Sequence, residues 1–267
     1  MAICVFGFEN RILSSTIAAG SEVSGLSSGN LQGQQGNAAT GWRTAGAITS
    51  AAGAWFTLDA GATTTFRAFG LFRTNLTAAA TVRWRVHSSP IAAGTVTTYD
   101  SGTVSAGVVA GYGQSVRYNA ADVSGRYLRC DIDDPTNPDG FISVALAYAG
   151  PVWQPSVSFS QDTALAPVRG IDTTQTQSGA TYVSARYYQR TWTIAHDAVK
   201  TADLWAKLMP LDRVAADGTN ILFVPDPAST TIAQESVFGL LDTVSDIGFR
   251  TLAGDWRTWR ARIAERI

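Results

Sequence analysis

Thr81-Val-Arg-Trp-Arg-Val-His87 alternates apolar and polar side chains without a break. A period of two puts Val82, Trp84 and Val86 on one face of a β-strand and Thr81, Arg83, Arg85 and His87 on the other, so one face belongs on a core. Working outward, short apolar runs recur at 54–58, 66–72, 115–118, 127–132 and 142–148, separated by Gly, Ser, Thr and Ala. That rhythm predicts an antiparallel β-sandwich up to residue 150, with no helix of useful length inside it. The tract 14–53, poor in charge and rich in Gly, Ser, Ala and Gln, reads as loops draped over the sandwich.

Pro151 and Pro155 then interrupt the pattern. Neither can donate to a sheet ladder, so a strand ends there and a domain boundary is expected, giving domains 1–150 and 151–267. The second half is expected to begin with a strand at 156–160, followed by a polar stretch at 161–181 and a strand at 187–195. Thr201 suits a helix N-cap with Asp203 in the first turn. Leu204, Trp205, Leu208 and Met209 follow helical spacing, and Pro210 should end or kink that helix, near 201–209. Strands at 221–224, 236–244 and 256–263 complete a smaller β-rich domain with one helix.

Composition limits the function. Of 267 residues, 45% are hydrophobic and 15% charged, with a net charge of -1. The charged fraction is below the usual quarter, as expected of a subunit whose faces are covered by neighbours. Lys200 and Lys207 are the only lysines and no basic patch forms, so nucleic-acid recognition is not expected. The start MAICVFGFENR has neither the basic residues nor the apolar run of a secretory signal, and no apolar stretch is long enough for a membrane-spanning helix. Synthesis and first residence in the cytoplasm are therefore expected. Cys4 and Cys130 read as free buried thiols, since pairing would require the first strand to lie beside a strand near 130.

Motifs for catalysis are weak. Gly25-Leu-Ser-Ser-Gly29 has the spacing of a nucleophile elbow but lacks the flanking buried strand and helix that the elbow needs. His196-Asp197 reads as a strand end followed by a turn acceptor, and His87 lies on a polar strand face. No constellation supports an enzyme.

Cys130-Asp-Ile-Asp-Asp-Pro-Thr-Asn-Pro-Asp-Gly140 crowds carboxylates together. Counted as an EF-hand loop it puts Thr136 where glycine is required, so it reads instead as a turn joining two antiparallel strands, 127–132 and 141–148. Asp133, Asp134 and Asp139 are the carboxylates that would hold an adventitious calcium ion, and no cofactor is expected. Trp42, in Gly41-Trp-Arg-Thr44, lies in the loop-rich tract, either as a sugar-stacking ring or as a plug at the mouth of the sandwich.

Asn10-Arg-Ile-Leu13, Gly41-Trp-Arg43, Trp55-Phe-Thr-Leu-Asp-Ala-Gly61, Phe69-Gly-Leu-Phe-Arg-Thr-Asn-Leu76 and Arg126-Tyr-Leu-Arg129 together resemble the discoidin or galactose-binding-like jelly roll over residues 5–150. The resemblance implies a jelly-roll β-sandwich, with loop residues Trp42, Arg43, Arg73 and Asn75 as candidate carbohydrate binders. The segment 125–141, running into Tyr148-Ala-Gly-Pro-Val-Trp-Gln-Pro155 and followed by Leu222-Phe-Val-Pro-Asp-Pro227, resembles minor tail proteins of tailed phages and prophages. In them a jelly roll is joined to a second β-rich domain, and the order of strands, one helix and closing strands in the second half here is similar to the tail-tube-like fold of distal tail and tube proteins. That resemblance implies a structural protein of the virion tail tip or baseplate, forming a symmetric ring with itself and touching tube, hub and fibre proteins. Its jelly roll would hold host surface glycan or brace the tip. The alternative is a free, lectin-like carbohydrate-binding protein.

Overall fold

The computed structural model describes residues 3–92, 97–243, 246–250 and 255–267. Its strands are β1 (Val5–Gly7), β2 (Thr16–Ala19), β3 (Trp42–Arg43), β4 (Trp55–Thr74), β5 (Thr81–His87), β6 (Tyr99–Asp100), β7 (Val104–Ser105), β8 (Gln114–Asp133), β9 (Ser143–Gly150), β10 (Ala164–Gln175), β11 (Thr181–Lys200), β12 (Ile221–Val224), β13 (Val237–Thr243), β14 (Gly248–Phe249) and β15 (Trp256–Glu265). The protein is mainly β. Two compact units form, Met1–Gln154 with Leu222–Ser236, and Pro155–Ile221 with Val237–Ile267.

In the first unit the four runs at 54–58, 66–72, 115–118 and 127–132 are the two ends of two long strands, β4 and β8, which pair with each other antiparallel along their length. Their register breaks between Asp59 and Thr64 and again between Phe66 and Ala68. Extra residues at such breaks bend a strand and increase its twist. On one side of the bend, β2, β4, β8 and β5 lie side by side, and β6 and β7 pair with β5. On the other side, β8, β4, β9 and β3 do so. The two bent strands thus belong to both layers of a jelly-roll β-sandwich. The tract 14–53 supplies β2 and β3 to the two layers, so it does more than drape over them.

The alternation of β5 is realised: Val82, Trp84 and Val86 are buried in the core. Trp84 stacks on Phe69 from the opposite layer at 5.0 Å between ring centroids, and its edge meets Phe56 at 6.0 Å. The outer face of β5 is not simply wet. Arg85 is buried there, donating to Asp131 at 2.6 Å and to the carbonyl of Ala92 at 3.1 Å. Arg129 shares Asp131 at 2.8 Å, so two guanidinium groups hold one buried carboxylate and each of these three charges has an ionic partner.

Leu222–Ser236, expected in the second domain, groups with the first unit. Leu222-Phe-Val224 has no polar face to give to solvent, and it pairs antiparallel with β1 from Val5↔Val224 to Gly7↔Leu222. Phe6 packs there against Phe223 at 5.1 Å and Trp153 at 5.4 Å. Cys4 and Cys130 are both buried, and neither is in a disulfide.

The second unit is an antiparallel sheet in which β15 pairs with β13, β14 and β11, and β11 pairs with β10. Residues 156–160 are not a strand, and the polar stretch 161–181 is mostly strand: β10 and β11 form a long ribbon. The closing strands β13 and β15 lie where expected, although Val244 is outside the described residues. The helix does not end at Pro210 but runs over 201–216, as Thr201–Asp203, a π-helical turn at Leu204–Leu208 and Met209–Ala216. Proline lacks the N–H that the regular ladder would use, and a wide turn just before it lets the helix continue past that missing donor. Lys200, not Thr201, occupies the cap position. Leu204, Leu208, Leu211 and Ala215 form the buried stripe, leaving Trp205 68% exposed. Asp212 accepts a hydrogen bond from the Thr243 hydroxyl and ties the helix to one face of the sheet.

Candidate functional site

At one end of the sandwich, the end of β4 with the residues that follow it and those preceding β8 enclose a cleft of about 590 Å³, within the roughly 300–1,000 Å³ usual for small-molecule sites. One wall is Arg73–Ala78 and the other Val108–Gly113, with Ala38 and Ser143 at the rim. Leu76 and Val108 are buried and give an apolar floor, while Tyr112 and Arg73 are partly exposed beside it.

Arg73 has φ 56°, and among the described residues no other non-glycine residue is left-handed. A side chain in that region costs about 1–3 kcal/mol and persists only where its surroundings hold it. They do so on both sides. The Thr74 N–H donates to the Gly113 carbonyl at 2.8 Å. A Cβ on Gly113 would come within 2.9 Å of the Thr74 carbonyl oxygen, so only glycine permits this close approach. The Arg73 Nε is buried without a hydrogen-bond partner.

The lower wall is fixed by the acidic stretch. Asp134, fully buried, accepts from the Thr77 N–H at 2.8 Å, the Thr77 hydroxyl at 2.6 Å and the Asn137 amide at 3.0 Å. Asn75 donates to Asp139 at 2.9 Å and to the Phe141 carbonyl at 2.8 Å, and accepts from the Ser143 N–H at 2.8 Å. Residues 134–142 are therefore not a hairpin turn. They carry the chain from β8 in one layer to β9 in the other, with β4 between them, and clamp the β4–β5 loop on the way. Gly140 closes the turn at φ 70°, the positive value expected of it.

Several candidates are relocated. Trp42 is fully buried, its ring edge-on to Phe56 at 5.7 Å and its Nε1 donating to the Ser21 carbonyl at 3.1 Å, so it is a core plug and presents no face to a sugar. Arg43 lies over the Phe141 ring at 3.6 Å, away from the cleft lining. Arg73 and Asn75 both line the cleft, but the amide of Asn75 is committed to the clamp, which makes it a positioning residue. Asp133 is held by the Ser50 N–H and hydroxyl at 2.8 and 3.0 Å. Asp133, Asp134 and Asp139 thus point to separate protein donors, and among the described residues no group of three or more His, Cys, Asp or Glu is arranged to hold a metal. Tyr112 and the 108–113 wall were not singled out by sequence, since a Gly- and Val-rich loop carries no motif.

The residues considered for catalysis are held structurally. Ser27 precedes a 3₁₀ turn, Ser28–Gln32, rather than a helix after a buried strand. His196 is buried in the second unit, and burial lowers its pKa below the usual imidazole value. Asp197 sits in a bulge of β11, where hydrogen bonds from Ser160 and Arg260 lower its pKa. Asp59, at the β4 bend, is held at a pKa of about 2 by its hydrogen bond from Arg126. No helix among the described residues is long and apolar enough to cross a membrane.

No protein-family profile matches the chain, and no curated protein matches it by sequence. Solved structures similar to it include the lectin domain of lectinolysin complexed with Lewis b antigen, with a TM-score of 0.40 and 12% identity over 53% of this chain and 95% of that one. A fucolectin from striped bass (Morone saxatilis) serum has a TM-score of 0.43 and 12% identity over 71% of this chain and 70% of that one. The family 32 carbohydrate-binding module of C. perfringens NanJ, in complex with galactose, has a TM-score of 0.40 and 14% identity over 55% and 98%.

Proposed function

We propose that the protein is a non-enzymatic structural component of a phage tail tip or baseplate, whose jelly roll holds a host-surface glycan in the cleft between Arg73–Ala78 and Val108–Gly113. The tail assignment rests on the likeness of segments 125–155 and 222–227 to minor tail proteins. The glycan assignment rests on one observation, the cleft itself: an apolar floor bordered by an arginine held in a strained backbone, a tyrosine and several hydroxyl and backbone groups. A sugar offers C–H faces to the floor and aromatic ring, and hydroxyls to the guanidinium. On this reading the protein resides in the virion, after assembly in the host cytoplasm, beside further copies of itself and other tail proteins.

A glycan array followed by calorimetry tests the cleft. Weak binding that disappears in Arg73→Ala, with unfolding behaviour unchanged, is expected; no heat with any array-positive glycan would refute it. A second reading, a free lectin-like protein, is favoured by the completeness of the cleft within one unit of a single chain. Gold-labelled antibody on tailed particles separates the two. Gold at the tail end is expected, whereas bare particles with the protein left in solution would make the free lectin the better account.

A further inference from the structure

The outer face of the layer built by β2, β4, β8 and β5 carries a hollow that shares no residue with the cleft. Strand register sets Arg85 directly opposite Arg129 and Arg83 opposite Asp131, and cross-strand partners share a face. Like charges directly opposite each other repel. Here both arginines are buried, and one carboxylate serves the two: Arg85 donates to Asp131 Oδ2 and Arg129 to Asp131 Oδ1. The buried group therefore holds two positive charges and one negative. The other charges of the hollow are turned elsewhere. Arg83 pairs with Asp100 through Nε and Nη2, and Asp133 accepts from the Ser50 N–H at 2.8 Å and from the Ser50 hydroxyl at 3.0 and 3.1 Å.

Arg129 is the group that faces outward from this cluster. Its side chain is 8% exposed, its guanidinium lies over the Trp55 ring at 4.0 Å, and its Nε is held by Asp131 at 2.8 Å. Its two terminal nitrogens donate to no partner among the described residues, and neither is sealed inside the protein. Arg129 borders the hollow of about 250 Å³, whose rim is formed by Ser50, Ala51 and Thr103. It also borders a neighbouring, more apolar hollow of about 290 Å³ with Ala18, Pro90 and Ile91 on its walls beside the hydroxyls of Thr16 and Thr57. An arginine fixed by a ring and a carboxylate presents its remaining N–H groups as a rigid fork, so little side-chain freedom is left to lose on binding.

We propose that these joined hollows are a second ligand site, which takes the carboxylate of an acidic sugar at Arg129 and the sugar ring in the apolar hollow beside it. A carboxylate accepts the two parallel N–H groups of one guanidinium and brings the single negative charge that matches the surplus of the buried group. A phosphate would bring more charge than that towards Asp131 and Asp133. The threonine hydroxyls on the apolar walls suit a ring with C–H faces and hydroxyls of its own better than a hydrocarbon chain. The site stands apart from the cleft at Arg73 and does not depend on what the cleft takes.

Nuclear magnetic resonance titration of the isotope-labelled full chain tests it, with galacturonate, galactose and acetate as probes. The signals followed are the Nε–H of Arg129 and the backbone amide of Thr103. Galacturonate is expected to move both at a concentration at least about tenfold below that needed with galactose or acetate, since only galacturonate offers both the charge and the ring. Added salt should weaken it. Ala51→Trp fills the hollow from its exposed rim without touching the buried ions and should abolish the shifts, and Arg129→Gln should abolish the shift of Thr103. Circular dichroism checks that both variants are folded. Arg73→Ala, in the cleft, should titrate as wild type, so a failure of the cleft reading is told apart from a failure of this one. Equal affinity for galacturonate and either control probe, shifts that persist in Ala51→Trp, or shifts lost in Arg73→Ala would overturn the proposal.

Discussion

Asp134→Ala tests whether the acidic stretch is a clamp or an ion site. The carboxylate is fully buried and accepts three hydrogen bonds, from the Thr77 N–H and hydroxyl and from the Asn137 amide. A hydrogen bond to a charged group contributes about 1.5–3 kcal/mol. Thr77 is only partly buried, so water recovers part of the loss there and the net cost should be about 3–5 kcal/mol. At about 2–4 °C per kcal/mol for a unit of this size, the melting temperature should drop by on the order of 10 °C. Asp134→Asn keeps an acceptor for Thr77 and should lose about half as much. Because Asp133, Asp134 and Asp139 are each held by protein donors, calcium or a chelator should leave the wild-type transition in place. Scanning calorimetry measures both effects. A loss below about 1 kcal/mol for Asp134→Ala, or a rise of several degrees on adding calcium, would refute the clamp, since only a ligand that binds the native state raises its stability.

Arg73→Gly should remove glycan binding while leaving stability equal or higher by up to about 1 kcal/mol, because glycine adopts the left-handed backbone without strain; calorimetry and urea titration together check this. Trp42→Ala should cost about 3–5 kcal/mol of stability, read from urea unfolding, by emptying a core site against Phe56. For His196 burial lowers the folded pKa below the unfolded value near 6.5, so the unfolded state binds more protons as the pH falls. Its contribution to stability is complete above that value and is lost as pH drops through the folded pKa. His196→Leu should flatten this limb in unfolding midpoints taken between about pH 8 and pH 5, and an unchanged slope would count against the assignment.

Most of the fold is legible because strand alternation survives without context. Val82, Trp84 and Val86 face the core as their spacing requires. What alternation cannot express is continuity. Gly61-Ala-Thr-Thr-Thr and Asn119-Ala-Ala-Asp-Val-Ser-Gly125 carry no regular apolar face, since the strands there bend between layers, so β4 and β8 read as four short runs. The ribbon fails for the complementary reason. Its apolar residues alternate with Thr, Asp, Gln and Gly and carry no continuous apolar run, so the stretch 161–181 reads as a polar loop. Trp42, left open between a stacking ring and a plug, and Trp205, grouped with the helix's apolar spacing, follow from the same limit. Trp42 sits on a strand of two residues, too short to show a period, and Trp205 lies one residue off the buried helix stripe.

The site shows where local chemistry and tertiary placement separate. The crowded carboxylates of 130–140 are unusual in sequence, and they are unusual in structure for another reason: they organise a crossing between layers. Asp134 and Asn75 spend their polar atoms on backbone and side-chain partners across that crossing, Asp134 accepting and Asn75 both donating and accepting, which sets the wall on which Arg73 and Thr77 stand. The opposite wall needs Gly113 at the one point where a Cβ would strike the Thr74 carbonyl. Arg73 is thus pinned between two loops, each over-determined by hydrogen bonds that do not involve its guanidinium. A strained arginine so held stays at the cleft whether or not anything is bound, and a cleft already formed loses little ordering entropy on binding. On the proposed reading, that is the condition under which a weak contact with a sugar would lose little on binding.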